Sequence, residues 1–400
     1  MTSDTHPYAL AGFKVLELCR VPPAELPGMM LADAGADVLK IDTPAELNED
    51  ARRRAVYSHS NRNKRSMALN LKSEEGVGVF MRLAEKADVI IEGFRPGVTD
   101  RLGIGYATVS ERNPGLVYCS MSGFGQMGPN RNRAAHDLNF LALSGALTLW
   151  GEPGRAPDIP SNLVADLAGA AMHAATAISF ALLARYRTGK GQFLDISYLD
   201  STIAVLAASA NLSQWPTLGS AAQSPAGVLS GQYPFYALYE AEDGGWLSVA
   251  CSEPALWKNF CVAIGLPDLG RHARRPEHYV RAPNCEEAAA HKQVAARIKQ
   301  SPVADWERVF AQYDVAVAPV LTFSEAMASD HVAYRGLRQE ATHPIFGTVP
   351  QVGSALGMRG TPPLCARAAP WPGQDSEAVA VELGFDRAEI NRLKAKGVLT

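Results

Sequence analysis

Two apolar runs near the N-terminus constrain the fold more than any other feature of the sequence. Residues 13–18 (FKVLEL) and 37–41 (DVLKI) are short and rich in branched apolar side chains, which is typical of buried strands. Prolines between residues 22 and 27 break the chain, and a short helix is predicted at about 28–34. Strand, helix and strand in so short a span predict a βαβ unit, and therefore an α/β fold with a parallel sheet.

The same alternation continues through the first half of the chain. Further strands are predicted at 66–70, 89–91, 116–120 and 193–197, and helices at 73–87, 167–187 and 201–210. The first strand is not followed by GxGxxG, so the sequence does not favour a nicotinamide site.

A smaller domain is predicted in the second half. Residues 214–231 have the Pro, Gly, Ser and Gln content of a linker. Strands at 235–240 and 246–250 flank an Asp-Gly-Gly turn, which indicates a hairpin. Helices at 286–300 and 302–313, a strand at 315–320, a loop-rich stretch at 335–375 and short helices in the tail are predicted to follow.

The composition excludes several classes of partner. Hydrophobic residues make up 47% and charged residues 20% of the chain, as in ordinary globular proteins, and the net charge of −3 does not favour nucleic acid or an anionic membrane. The six cysteines form no CxxC pair, which argues against a zinc site and favours reduced thiols. The N-terminus does not resemble a signal peptide, and residues 167–184 are predicted to form a buried core helix. We therefore expect a cytoplasmic protein without a nucleic-acid or membrane partner.

The stretch from residue 134 to 187 carries the strongest chemical signal. His136 lies in a polar loop, and Asp166 precedes a long apolar, alanine-rich run, as a helix N-cap does. The backbone N–H groups at the start of that helix are candidates to receive an oxyanion. The stretch therefore offers an acid/base pair and an anion site, although His136 and Asp166 are also compatible with purely structural roles.

A series of short blocks then runs in order through nearly the whole chain. The blocks include GFKVLEL, GADVLKID, NRNKRSMALNLK, GFRPGV, SGFGQMGP, AHDLNF, SNLVADLAGAAM, TGKGQFLDISYLD and YDVAVAPVL. In this order they resemble the family III CoA-transferase superfamily, which also contains the α-methylacyl-CoA racemases.

The resemblance implies an architecture. A large Rossmann-like domain would contain residues 1–213, a linker residues 214–231, and a smaller α+β domain residues 232–330. The chain would then return to the large domain with residues 331–400. The family forms an interlocked homodimer, in which the active site lies between the large domain of one chain and the small domain of the other.

The resemblance also implies two alternative chemistries, and both need Asp166. In the transferases this aspartate attacks the thioester and carries the acyl group as a mixed anhydride, whereas in the racemases it is one of two bases that move the α-proton. Racemases have a histidine at His136, a glutamate at Glu253 and an asparagine at Asn162. Oxalate-type transferases lack the histidine and have a glycine-rich loop that is not found at 225–265.

Racemisation of a 2-methylacyl-CoA is therefore the favoured prediction, and CoA transfer is the alternative. Inversion of a carbon requires proton removal from one face and return on the other, which two groups of moderate pKa can perform. Glu253 is expected to orient the ring of His136, and Asn162 to orient Asp166. No metal and no cofactor beyond the CoA moiety of the substrate is expected. A CoA-binding protein without turnover is a third reading.

The CoA moiety requires groups for phosphates and adenine. The basic candidates in the matching blocks are Arg62, Lys64, Arg65, Lys72, Arg95 and Arg101. Arginine suits phosphate because its planar fork binds two oxygens, and we favour this role for the group over the alternative of a solvated surface. Leu69 and Phe94 are predicted to flank the adenine. The family often has arginine at the position of Thr43, so that contact is either lost or supplied by residues such as 52–54.

Overall fold

Six strands form a parallel sheet, as the sequence predicts. The computed structural model describes residues 8–45, 47–151, 154–207, 227–279 and 281–400. The strands are β1 (Lys14–Leu18), β2 (Asp37–Asp42), β3 (Arg65–Ala68), β4 (Val89–Glu92), β5 (Val117–Ser122) and β6 (Gln192–Ser197). Their spatial order is β3-β2-β1-β4-β5-β6, with every neighbouring pair parallel.

This strand order is that of a Rossmann-type sheet and creates a switch point between β1 and β4. Val15 pairs with Val38 of β2 on one side and with Val89 of β4 on the other. All four residues of β4 are buried, which explains why this strand reads as a continuous apolar run. Ligands of open parallel sheets bind in the crevice beyond the carboxyl ends of the strands that flank such a point.

The helices that surround this sheet follow the sequence patterns closely. They are α1 (Pro22–Asp33), α2 (Glu49–Val56), α3 (Glu74–Ala84), α4 (Val98–Arg101), α5 (Tyr106–Arg112), α6 (Asp137–Ser144), a π-helix (Leu163–Ala171), α7 (Met172–Thr188) and α8 (Tyr198–Leu206). The short helix predicted at 28–34 is the second half of α1. Pro22 and Pro23 begin this helix rather than break the chain before it, because the first helical positions need no N–H group.

The long helix predicted at 167–187 begins earlier than expected. Its first part is the π-helix, whose N-cap is Asn162, so Asp166 lies inside the first turn and is not the N-cap. The chain turns at Ser161, which adopts a left-handed φ of 60°, and the apolar residues Leu163 and Val164 already belong to the helix. Gly189 ends α7 with a φ of 70°, as glycine after a helix commonly does.

The same helical stretch also meets a membrane-span test. Leu163–Thr188 is long and apolar enough to cross a membrane by length and composition alone, and 44% of its most apolar window is buried inside the protein. Core helices pass the same test, so the stretch does not by itself indicate a membrane.

The chain divides into two units that differ slightly from the predicted domains. The first contains Met1–Phe140, Asn162–Thr202 and Met327–Thr400, and the second contains Leu141–Ser161 and Ile203–Ala326. Residues 141–161 group with the second unit, whereas the predicted large domain runs continuously through residues 1–213. Most of the linker predicted at 214–231 lies outside the described residues, which resume at 227.

The second unit is built on an antiparallel sheet. Its strands are β7 (Tyr236–Glu240), β8 (Trp246–Ala250) and β9 (Val317–Pro319), and its helices are α9 (Pro254–Ala263), α10 (Cys285–Ile298) and α11 (Val303–Phe310). Trp257, Phe260 and Trp306 are fully or almost fully buried and form the centre of its core. The hairpin predicted from the Asp-Gly-Gly turn is confirmed by the pairing of β7 with β8.

The C-terminal part of the chain returns to the first unit. It contains α12 (Phe323–Ala328), α13 (Asp330–Tyr334), β10 (Arg338–His343), β11 (Gly347–Val352), α14 (Ser376–Glu382) and α15 (Arg387–Ala395). The stretch predicted to be loop-rich thus contains a two-stranded hairpin. Val379, Ile390 and Leu393 from the two last helices join the core of the parallel sheet.

Candidate active site

A cavity opens at the switch point of the parallel sheet. Its volume is about 440 Å³. The lining residues that follow sheet strands are Val21, Pro22 and Pro23 after β1, Gly93, Phe94, Arg95 and Pro96 after β4, and Met121, Ser122 and Gly123 at the end of β5. The cavity therefore occupies the position at which this type of sheet is expected to bind its ligand.

Three of the four predicted catalytic residues line this cavity. They are His136, Asn162 and Asp166. His136 is exposed and lies directly before α6, where its N–H donates to Asn139 Oδ1 at 3.0 Å and its carbonyl accepts from the Asn139 N–H at 2.8 Å. The reciprocal bonds fix the backbone at the start of the helix, as in a capping box.

The Asp166 carboxyl is partly buried, and its protonation is perturbed accordingly. Its pKa is raised to about 6, mainly by burial and in addition by the nearby Asp137 carboxylate. A hydrogen bond from Asn162 and the electrostatic influence of His136 act in the opposite direction. A carboxyl with this pKa changes protonation close to neutral pH, as an acid/base group requires.

Asp137 is a residue of the site that the sequence analysis missed. It is buried, and its Oδ2 accepts the backbone N–H of Asp166 at 2.9 Å. Its Oδ1 is buried without a hydrogen-bond partner in the described part of the chain, and burial raises the pKa of this carboxyl too. An acidic residue directly after His136 in the AHDLNF block was the available signal.

The bond from Asp137 occupies one amide near the predicted oxyanion site. The N–H groups at the start of a helix predicted at 167–187 are the candidate oxyanion donors, but the helix begins at Leu163. Within its first turn the N–H of Asp166 is already taken by Asp137. That amide is therefore not available to a substrate oxygen.

Glu253 lies in the second unit. It is exposed and occupies the N-cap position of α9 with extended backbone angles, without a side-chain capping bond. Its predicted role toward His136 stays a prediction. Among the residues that the structure describes, no group of three or more His, Cys, Asp or Glu side chains could hold a metal ion.

Several residues predicted to bind CoA are instead part of internal ion pairs. Arg62 is buried and binds Asp33 through two nitrogens, one of them Nε at 3.0 Å. Lys64 is completely buried, with Nζ at 2.8 Å from both carboxylate oxygens of Glu17.

Arg65 and Leu69 are engaged in the first unit as well. Arg65 binds Asp37 at 2.7 Å and Glu382 at 2.8 Å. Leu69 is buried in the core and bridges to Leu399. The carboxylate partners neutralise Arg62, Lys64 and Arg65, and the core encloses Leu69. We therefore no longer predict that these four residues bind the coenzyme.

The remaining predicted contacts are accessible. Phe94 and Arg95 line the cavity, while Lys72 and Arg101 are exposed elsewhere on the first unit. Of the arginines proposed to compensate for Thr43, Arg52 lies over the ring of Trp371 at 5.4 Å and Arg53 over Phe346 at 4.9 Å.

Glu92 supports the turn that carries Phe94 and Arg95. It is buried at the end of β4, where Oε2 accepts the Phe94 N–H at 2.7 Å and Oε1 accepts the Ser120 hydroxyl. Burial raises its pKa to about 7, although both hydrogen bonds oppose the shift. No sequence pattern indicates this role, because acidic residues commonly follow the apolar part of a strand as Glu92 does.

Comparison with known proteins decides the family. The sequence profile of CoA-transferase family III matches residues 10–376. The chain belongs to CoA-transferase family III. This family is enzymatic and contains racemases as well as CoA-transferases.

Two human relatives represent these two activities. The chain is 33% identical over 402 residues to α-methylacyl-CoA racemase from Homo sapiens, covering 98% of this chain and 97% of that protein. It is 30% identical over 400 residues to succinyl-CoA:glutarate CoA-transferase from Homo sapiens, covering 98% and 90%. The family resemblance is thereby confirmed. The two sequence identities are too similar to decide between racemisation and CoA transfer.

Among solved structures, a CAIB/BAIF family protein from Brucella suis shares the fold. Its TM-score is 0.79 at 27% identity, covering 94% of this chain and 99% of that chain. The α/β fold with a parallel sheet is thus a property of the family.

Proposed function

We propose that the protein is an acyl-CoA racemase or epimerase that inverts the α-carbon of a 2-methylacyl-CoA thioester. The observation that carries the proposal is the presence of His136 and Asp166 on one cavity at the switch point of the sheet. The similarity to α-methylacyl-CoA racemase over nearly the whole chain supports it.

The two side chains would act from opposite faces of the α-carbon. One base removes the α-proton, the thioester becomes an enolate, and the conjugate acid of the other base returns a proton on the opposite face. Because the pKa of Asp166 is about 6, its charged and neutral forms are separated by only about 1.4 kcal/mol at neutral pH. Asp166 can therefore serve as base in one direction and as acid in the other.

The enolate oxygen needs hydrogen-bond donors other than the Asp166 amide. The first turn of α6 directly follows His136. The N–H groups of Asn139 and Phe140 donate to the His136 carbonyl, so the candidate donors are the N–H groups of Asp137 and Leu138. We assign the developing negative charge to this helix end. Glu253 from the second unit of a partner chain would orient His136, and Asn162 would orient Asp166. In this proposal these four side chains and the thioester are sufficient for the proton transfers.

Incorporation of deuterium tests this proposal. The protein is incubated with single enantiomers of 2-methylacyl-CoA esters in deuterated water, and exchange at the α-position is followed by mass spectrometry and NMR. Exchange with inversion is expected, and His136→Asn and Asp166→Asn should each reduce it by roughly a hundred-fold or more. Lack of exchange across a panel of branched, aryl and steroid acyl groups would refute the racemase.

CoA transfer is the second candidate, because a CoA-transferase is a relative over the same share of the chain. In that reaction the Asp166 carboxylate attacks the thioester carbon, CoA leaves as thiolate, and an acyl-aspartyl anhydride forms. Hydroxylamine added during turnover would convert this anhydride to a hydroxamate on Asp166, which peptide mass spectrometry detects. A hydroxamate, together with CoA transfer to a free carboxylic acid, would replace the racemase proposal.

A further inference from the structure

The N-terminus of α1 differs chemically from the usual phosphate site of a Rossmann-type sheet. In such sheets the helix after β1 commonly points its free N–H groups at a phosphate. Here the first two helical residues are Pro22 and Pro23, which have no N–H. The next two amides, of Ala24 and Glu25, both donate to the Val21 carbonyl at 3.1 Å. The start of α1 therefore has few backbone donors to offer an anion.

An arginine side chain lies at the same edge. Arg20 directly follows β1 and is exposed. Its Nη2 donates to the Thr43 hydroxyl just beyond β2, and its guanidinium lies 5.9 Å from the centre of the Phe94 ring just beyond β4. The side chain is thus anchored across the ends of three neighbouring strands, directly beside the cavity that Val21 and Phe94 line.

The anchors of Arg20 are uncharged. This distinguishes it from Arg62 and Arg65, whose guanidinium groups bind internal carboxylates. The charge of Arg20 acts weakly on the Asp42 carboxyl, where burial raises the pKa and Lys40 opposes the rise more strongly than Arg20 does. Asp42 also accepts the Ser66 hydroxyl at 2.6 Å. The positive charge of Arg20 is therefore left largely for a ligand.

We propose that Arg20 binds a phosphate group of the nucleotide part of an acyl-CoA, so that a guanidinium replaces helix amides at this edge of the sheet. Arginine has five N–H donors in a planar fork, and the single bond to Thr43 fixes the plane while leaving donors for two phosphate oxygens. Thr43 is then a positioning residue for Arg20. This inference rests on the proposed use of a CoA thioester.

Calorimetric titration of the full-length protein with CoA tests the inference. Arg20→Gln is expected to weaken CoA binding by roughly ten-fold or more, since it removes a charge-assisted bidentate contact. Arg20→Lys should recover only part of the affinity, because an ammonium lacks the planar fork. Thr43→Val, which keeps the charge but removes the anchor, should cause a smaller loss. Arg112→Gln, an exposed arginine on α5, serves as the matched control and should bind as the wild type does.

Titration with 3′-dephospho-CoA identifies the phosphate. If the loss caused by Arg20→Gln disappears with this ligand, Arg20 binds the 3′-phosphate; if the loss persists, it binds the diphosphate. Thermal unfolding shows whether each variant is folded. If Arg20→Gln does not fold, the CoA affinities of Arg20→Lys and Thr43→Val test the inference instead. Wild-type affinity in a folded Arg20→Gln variant would overturn the inference alone. Failure of the wild type to bind CoA would overturn the proposed function as well.

Discussion

Asp166 illustrates how position within a helix and burial together set the property of one side chain. The residue lies inside the first turn of a π-helix. π-Helices are rare in proteins, and those that do occur are often found at functional sites. Asp137 holds its backbone N–H, while burial and the Asp137 charge raise its pKa to about 6. The same features that suit the carboxyl to proton transfer make its charged form unfavourable in the folded protein.

This conflict predicts a pH-dependent gain in stability for Asp166→Asn. The pKa of Asp166 is higher in the folded chain than in the unfolded one, so its contribution to stability falls as pH rises from about 4 to about 6. At about pH 7 the free energy of unfolding of the variant should exceed that of the wild type by about 1–2 kcal/mol. This difference is smaller than the full pKa shift would give, because the Asp166 carboxyl is only partly buried.

Urea unfolding at about pH 7 and about pH 4.5 measures the difference, which should shrink at the lower pH. Asp305→Asn, at an exposed carboxyl of α11, is the control and should change the free energy by less than about 0.5 kcal/mol at both pH values. A gain that is independent of pH would contradict the titration of Asp166 as its cause.

At the scale of elements, buried ion pairs join β1, α1, β2 and the residue directly before β3. Lys64 Nζ lies 2.8 Å from Glu17 on β1 and 2.9 Å from the Glu25 carbonyl on α1, and Glu25 itself binds Lys40 of β2. A Cβ added to Gly28 of α1 would lie 1.8 Å from Glu17 Oε2, so the glycine permits the helix to approach this cluster. The network supports the strand end and helix start that form one wall of the cavity.

Removal of one member of this network should be strongly destabilising. Burial raises the pKa of Glu17 and lowers the pKa of Lys64, so each charge depends on the other. Lys64→Met should lower the free energy of unfolding by about 3–5 kcal/mol because it leaves Glu17 buried and unpaired.

The double variant Glu17→Gln/Lys64→Met should recover much of this loss, since position 17 then carries no unpaired buried charge and the Glu25–Lys40 pair is left intact. Lys86→Met, at an exposed lysine, is the control. Denaturant unfolding followed by circular dichroism measures all three. An equal loss in the single and double variants would show that packing, rather than charge, determines the effect.

At the scale of the whole molecule, α7 presents an apolar face to solvent in the single chain. Phe180, Leu183 and Tyr186 are 65%, 66% and 92% exposed and lie three residues apart, so they share one side of the helix. Exposed apolar patches of this kind mark protein contacts. We propose that a second copy of the chain covers this face in a homodimer, as the family resemblance implies.

Light scattering coupled to size-exclusion chromatography checks this prediction. The wild type should elute with the mass of two chains, and Phe180→Glu/Leu183→Glu should give monomer or aggregate, because two charges would be buried in the contact. Arg112→Glu on α5 should leave the mass unchanged. A monomeric wild type at micromolar concentration would exclude the dimer.

The identities and approximate bounds of most strands follow from the sequence because their cause is local. A run such as VIIE must be buried on both faces wherever it lies, and Gly189 ends a helix by its own conformational freedom. His136, Asn162 and Asp166 were likewise identified from short blocks. The position of their common cavity at the ends of β1, β4 and β5 was not predicted, since it depends on strand order.

The tertiary structure decided which charged residues are free and which are paired. Arg62 binds Asp33, and the Asp166 N–H donates to Asp137. The two residues of each pair lie 29 positions apart in the sequence, so no short block contains both partners. The blocks containing Arg62 and Lys64 look like a basic surface in sequence and are internal ion pairs in the fold. Arg20 looks unremarkable in sequence and lies at the ligand crevice, because only the sheet brings the ends of β1, β2 and β4 together.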